Sequence, residues 1–176
     1  MKMSMAGGAA AFALAACIGI GWSVDTYASA TDDRTFVTEA MQSNLAEIAL
    51  AKLAQERSTT PEVKTFAKAM IADHGKLGGD LKALAGKKGF EVPDEPNDVQ
   101  KRTAQSLAKL SGNEFDRIYA TLSVDDHKKA IDLMRAEALT TRDVDLRFFA
   151  EKTVSLFEHH RVMAEKLQGD LMGATP

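Results

Sequence analysis

Four stretches of this chain, each about 25 residues long, place apolar or small side chains at steps of three and four, the spacing of a single helix face. They run roughly over 32–57, 61–85, 113–138 and 143–168. Nothing after residue 30 has the alternation and turn chemistry of a strand hairpin. Four amphipathic helices bury their stripes only against one another, so the expected fold class is all-α.

The joints between the stretches are legible. In "STTPEVKTF" Thr60 can cap, Pro61 suits the first helical position, and Glu62 favours the positive end of the helix dipole. Gly86 is placed to close that helix. "KKGFEVPDEPND" is loop-like, and a shorter helix over about 97–110 follows it. Ser111-Gly112 breaks this helix, Asn113 can cap the next, and "TTRD" forms the last turn. The helices are thus joined short, long, short. Two antiparallel hairpins with one long crossover make a ferritin-like four-helix bundle, here with an extra short helix in the crossover.

Residues 1–30 read as an export signal. Lys2 precedes a long apolar run that closes on Ala28-Ser29-Ala30, before the charged "TDDR". Cleavage after Ala30 leaves 31–176 as the bundle domain. A second reading takes "LAAC" as a lipobox, with Cys17 lipidated, although "IGIGW" after it is unusually apolar. A third keeps the run as an uncleaved anchor. All three place the domain outside the inner membrane, in the periplasm or cell envelope.

Cys17 is the only cysteine, so no disulfide is expected. The net charge is −3 and no basic block occurs, which argues against a nucleic-acid partner. A membrane would be met only through the N-terminal anchor or lipid.

The informative residues interrupt the stripes. The first stripe is Val37, Ala40, Asn44, Glu47, Ala51, Ala54, and the second is Ala67, Met70, His74, Leu77, Leu81, Leu84. The third is Ala120, Val124, His127, Ile131, Met134, Ala138. The fourth is Leu146, Phe149, Thr153, Leu156, His160, Met163, Leu167. Near the middle of each stands one residue able to bind a metal: Glu47, His74, His127 and His160. Measured from the intervening turns, Glu47 and His74 lie at similar depth. His127 and His160 differ by six residues, about 9 Å on straight helices.

A buried imidazole without partners loses about 1–3 kcal/mol per unmet group. A lone buried carboxylate loses several kcal/mol or takes up a proton. No Lys or Arg stands on the stripes to pair with Glu47. A carboxylate with three imidazoles suits a divalent transition metal, zinc first, with copper or iron as alternatives. The competing reading is a metal-free polar network closed by water or a protonated histidine.

His159 serves as an internal control, because its helical neighbours Lys152, Ser155, Val162 and Lys166 mark a wetter face. Asp73, Asp126 and Glu158 lie one or two places from a stripe histidine and point away from it. They are candidates for supporting a ligand, with solvated helix charge as the plainer reading. Met70 and Met163 lie one turn from His74 and His160; thioether with imidazole would suit copper, and methionine is also a common core filler.

"FVTEAMQSNLAEIALAKLA", "VKTFAKAMIADH", "LSGNEFDRIY…DDH" and "FFAEKTVSLFEHHRVMAEKL" together resemble the bacterial secreted family catalogued as domain of unknown function 4142, over 34–168. The resemblance implies a ferritin-like bundle in the periplasm or outer membrane and says little about activity. Its last motif falls on His160, with Ala164 and Leu167 four and seven places later, and Glu47, His74 and His127 fall on the other matching positions. The di-iron pattern needs Glu-x-x-His on two helices. Ile71 and Phe157 stand where those glutamates belong, so oxygen chemistry at two irons is not expected.

Among function classes, the enzyme is the weakest: no nucleophile motif, phosphate loop or cofactor fingerprint is present. A non-catalytic binder of one metal ion is the first choice. A metal-free envelope stress or interaction protein is the alternative.

Overall fold

The computed structural model describes residues 24–173, with side chains described from Asp33. The leader's apolar run and Cys17 lie outside the described residues. Five helices follow one another: α1 Val24–Arg57, α2 Pro61–Lys87, α3 Asp98–Leu107, α4 Gly112–Thr140 and α5 Val144–Gly173. The fold is an all-α bundle, as the stripes require. Among the described residues no helix is long and apolar enough to cross a membrane.

The helix ends follow local chemistry. Pro61 opens α2 behind Thr60, which makes no side-chain cap bond. α2 runs two residues beyond Ala85, and the left-handed turn falls at Gly89, φ 65°, instead of Gly86. There Phe90 N donates to Ala85 O at 2.9 Å, which closes the helix end. α3 carries a reciprocal capping box between Asn97 and Gln100. α4 begins behind Ser111, which stands at the cap two places before the expected Asn113. Asp143 caps α5 by accepting from the amides of Asp145 and Leu146, both at 3.0 Å. The first helix begins at Val24, inside the stretch read as leader.

α1 packs on α2 and α4 on α5; α1 also meets α4, and α2 meets α5. The order around the bundle is therefore α1, α2, α5, α4. Two contacts fix the direction of each helix. Thr60 Oγ1 donates to Asp116, pinning the α1–α2 turn to the start of α4. At the other end Lys88 pairs with Asp143 at 2.6 Å and Asp145 at 3.1 Å, pinning the end of α2 to the start of α5. The crossover, residues 88–111, climbs the length of the bundle, and α3 rests against α1 and α4.

The apolar core is split in two. Phe36, Val37, Met41, Leu81, Ile131, Met134 and Leu146 fill the end near Lys88. Leu50, Val63, Phe66, Met70, Phe115, Tyr119 and Leu167 fill the other. Between them lies a buried polar layer of Asn44, Glu47, His74, Ser123, His127 and His160. On α5 the buried stripe passes through Phe157 and Ala164 in place of Leu156 and Met163, and on α2 it ends on Ala85 in place of Leu84. Thr153 sits in the same core with its hydroxyl turned back on Phe149 O at 2.7 Å.

Candidate metal centre

His74 on α2, His127 on α4 and His160 on α5 meet at the centre of the bundle, exposed by no more than 2%. One ring nitrogen from each lies within 4.8 Å of the others. Ring centroids are 5.3 to 5.5 Å apart, with His127 edge-on to both other rings.

The offset between His127 and His160 closes for two reasons. The α4–α5 turn occupies 141–143, later than the sequence placed it, which leaves His127 fifteen residues before its centre and His160 eighteen after. Helical side chains also lean toward their own N-terminus. In antiparallel helices that lean carries His160 toward the turn and His127 away from it, by about one residue each.

Hydrogen bonding fixes each ring's proton. His127 Nδ1 lies 2.8 Å from Ser123 O, which can only accept, so Nδ1 carries the hydrogen and Nε2 a lone pair. His160 Nε2 lies 3.0 Å from Asp73 Oδ2, so that nitrogen donates and Nδ1 is bare. His74 Nδ1 donates to Asn44 Oδ1 at 3.1 Å, and His74 Nε2 has no partner among the described residues. The two bare nitrogens of His127 and His160 face each other at 3.3 Å. Two lone pairs at that distance repel unless a cation or a proton stands between them. Zinc–nitrogen bonds of about 2.0–2.1 Å at a tetrahedral angle put the nitrogens about 3.3–3.4 Å apart.

A shared proton is the poorer fit. Burial holds His74 well below the usual imidazole range, and neighbouring His127 and His160 lower it further. Burial lowers His127 to about 4, against the Ser123 bond, which raises it. Burial also lowers His160, against the opposing pull of Asp73. Burial thus disfavours the charged form of all three rings, and the neutral form is the one in which imidazole binds a metal.

Glu47 occupies the same layer and stands apart from the three nitrogens. Its Oε1 is 4.0 Å from His127 Nδ1, the nitrogen already engaged by Ser123 O. That approach has the length of an ion pair without its charges. Burial, and then the charge of Asp126, push the Glu47 carboxyl well above its usual range, while His127 is held neutral. Neither Glu47 oxygen has a hydrogen-bond partner among the described residues. The structure therefore brings together three of the four expected residues and leaves Glu47 beside them.

The supporting candidates sort clearly. Asp73 holds His160. Asp126 pairs with Lys129 at 3.1 Å, and Glu158 pairs with Arg135 and Arg161 at 2.8 and 2.9 Å. His159 is exposed, as its wetter face predicted. Met70 packs in the apolar cluster at the end away from Lys88, and Met163 lies against it. Phe157, where a di-iron site needs a glutamate, stacks on His74 at 5.5 Å and meets His127 edge-on at 5.6 Å. It walls one side of the cluster with carbon.

Sequence reasoning assigned no role to Asn44 or to the Ser123 carbonyl. Asn44 was detectable: it and His74 each lie fifteen residues from the centre of the turn at 58–60. A carbonyl acceptor leaves no such trace in side-chain pattern.

Fold and site together define an all-α bundle whose core is interrupted by a trihistidine cluster with every outward ring nitrogen tied to an acceptor. The chain belongs to the family described as domain of unknown function 4142, whose model matches residues 23–167. No curated protein matches it. Among solved structures it is similar to a DUF305 fragment from Deinococcus radiodurans, with TM-score 0.71 and 16% identity over 79% of this chain and 96% of that one. A DUF305 protein from Streptomyces coelicolor, whose name proposes that it is secreted, matches with TM-score 0.67 and 12% identity over 80% and 93%. A conserved hypothetical protein from Mycobacterium tuberculosis matches with TM-score 0.62 and 19% identity over 84% and 95%. At these identities the likeness shows the fold.

Proposed function

We propose that this protein is an exported bundle that binds one divalent transition metal, zinc first, and does so without catalysis. The ligands are His74 Nε2, His127 Nε2 and His160 Nδ1. The observation that carries the reading is the facing of two bare imidazole nitrogens at 3.3 Å beside a third nitrogen without a partner among the described residues. Asn44, the Ser123 carbonyl and Asp73 take the other nitrogen of each ring, the arrangement that orients metal-bound histidines. Three protein ligands leave a fourth position for water or a small anion. Phe157 and the two apolar clusters enclose the site, which favours holding or buffering a cation over turnover. Export rests on the leader read from residues 1–30 and on the name of the Streptomyces relative in fold.

The metal-free network is favoured by one fact: the 3.3 Å pair would become a hydrogen bond if either ring took a proton. That network still leaves His74 Nε2 unmet and charges a ring whose burial opposes charging.

Elemental analysis decides between them. The protein is purified without a polyhistidine tag or nickel column, beside a His74→Ala/His160→Ala double variant. Near-stoichiometric metal in the parent and none in the folded variant supports the metal reading. A parent that holds no metal and takes up neither zinc nor copper supports the network.

A further inference from the structure

We propose that the cleft between α1, α3 and α4 is the port through which the cation reaches the three histidines, with Glu47 as the ligand that receives it on the way in. The proposal rests on the metal reading and gives Glu47 a role beside the resident ligands.

The cleft has a volume of about 340 Å³. Glu39, Glu47 and Asp126 line it with carboxyl groups, and its one lining cation, Lys129, is paired with Asp126. Glu47 forms its inner end. It is 3% exposed with both oxygens unpartnered among the described residues, and it abuts the imidazole of His127 at 4.0 Å. A carboxyl without partners in that position is a loss for folding. A carboxyl that meets a hydrated cation at the end of an acidic cleft gives up its proton and exchanges one of the ion's waters for one oxygen. The imidazole of His127 then stands 4.0 Å from that carboxyl.

The roof of the cleft is Gln100 and Thr103 of α3. This helix buries Leu107 alone, leaves Val99 63% exposed and closes its own N-terminus through Asn97 and Gln100. Leu107 is its one fully buried anchor in the core. The opposite approach, a groove of about 220 Å³ between α2 and α5, is lined by Asp73 and Asp80 but also by Lys76 and Lys152. Asp73 is already bonded to His160 there. Net charge favours the α3 side for a cation.

The test separates rate from affinity. Metal-free full chain is mixed with Zn²⁺ in a stopped-flow instrument, with uptake read against a chromogenic zinc indicator. Glu47→Gln, which keeps the side chain's size, is expected to slow both uptake and release by about tenfold or more while leaving the equilibrium constant unchanged. Glu39→Gln/Asp126→Asn is expected to slow uptake and to flatten its dependence on ionic strength. Asp73→Ala is expected to weaken affinity through faster release while keeping the uptake rate. Uptake by Glu47→Gln at the parent's rate overturns the port. So does a loss of affinity in that variant with its uptake rate intact, which would make Glu47 a resident ligand. Should Glu47→Gln fail to fold, the rim variant decides by the same criteria. A parent that takes up no zinc at all overturns the metal reading and the port with it.

Discussion

Asp73 Oδ2 accepts a hydrogen bond from His160 Nε2 at 3.0 Å, across the interface of α2 and α5. Its sequence neighbour His74 points the other way, into the cluster. One dipeptide thus supplies a ligand and holds a second ligand in the correct tautomer. Asp73 side-chain exposure is 46%, so the bond orients the ring without a large share in global stability. Asp73→Ala is expected to lower zinc affinity by about 10–100-fold with little change in melting temperature, measured by competition with a chelator at pH 7.

Gly78 gives a less obvious handle on the same site. A Cβ there would stand 2.6 Å from Asn44 Nδ2. Alanine in a helix interior ordinarily adds about 0.5–1 kcal/mol over glycine. Here it displaces the side chain that holds His74 Nδ1. Gly78→Ala is expected to weaken zinc binding by about tenfold or more and to yield less than the usual stability gain. A calorimetric titration beside a thermal melt reads both. Parent affinity in this variant would show that Asn44 does not orient the ring.

The pH response of the metal-free protein has two limbs. His74, His127 and His160 are all held below the ordinary imidazole value, His127 at about 4. The unfolded chain then binds more protons than the folded one on the acid side of about pH 6.5. Their stabilisation is complete above that pH and is lost as the pH falls toward 4, His127 alone contributing on the order of 3 kcal/mol. Glu47 acts in the opposite sense. Its folded value is raised, so its contribution is present below the ordinary carboxylate range and is lost as the pH rises through the folded value. A melting series should show an acid limb made shallower by His74→Leu and an alkaline limb flattened by Glu47→Gln. Bound zinc should be retained at pH 7 and released by about pH 4.

His159 separates the site from its surroundings. It adjoins His160 in sequence and is exposed. His159→Ala is expected to leave metal content and melting temperature unchanged, whereas His160→Ala abolishes the metal. Loss of metal in the His159 variant would move the site to the helix surface.

Helix periodicity made most of the bundle readable. Steps of three and four placed Val37, Ala67, Ala120 and Leu146 inward, and all four are fully buried. The same pattern could not choose between Leu156 and Phe157, which lie 100° apart on the helix. Either suits an apolar stripe, and only packing against His74 and His127 selects the aromatic ring. Helix ends at the turns were read to within a few residues, Gly86 and Gly89 both being competent to close α2, whereas α1 begins eight residues before and α5 ends five residues after the expected bounds. The three histidines were legible as polar breaks in apolar stripes. The place of Glu47 was not, since helix periodicity fixes the face a residue shares and not the distance between side chains on facing helices. The partners that fix each ring's proton are one side-chain amide, one backbone carbonyl and one carboxylate, and only spatial proximity picks them out.

Each of the three histidines holds its hydrogen on one particular nitrogen, and ¹⁵N NMR of histidine-labelled protein reads which one. In the metal-free state at pH 7, His74 and His127 should carry the hydrogen on Nδ1 and His160 on Nε2. Addition of zinc should shift His74 Nε2, His127 Nε2 and His160 Nδ1, and leave the protonated nitrogens bonded as before. A protonated Nδ1 on His160, or three unprotonated nitrogens that do not respond to zinc, would contradict the account.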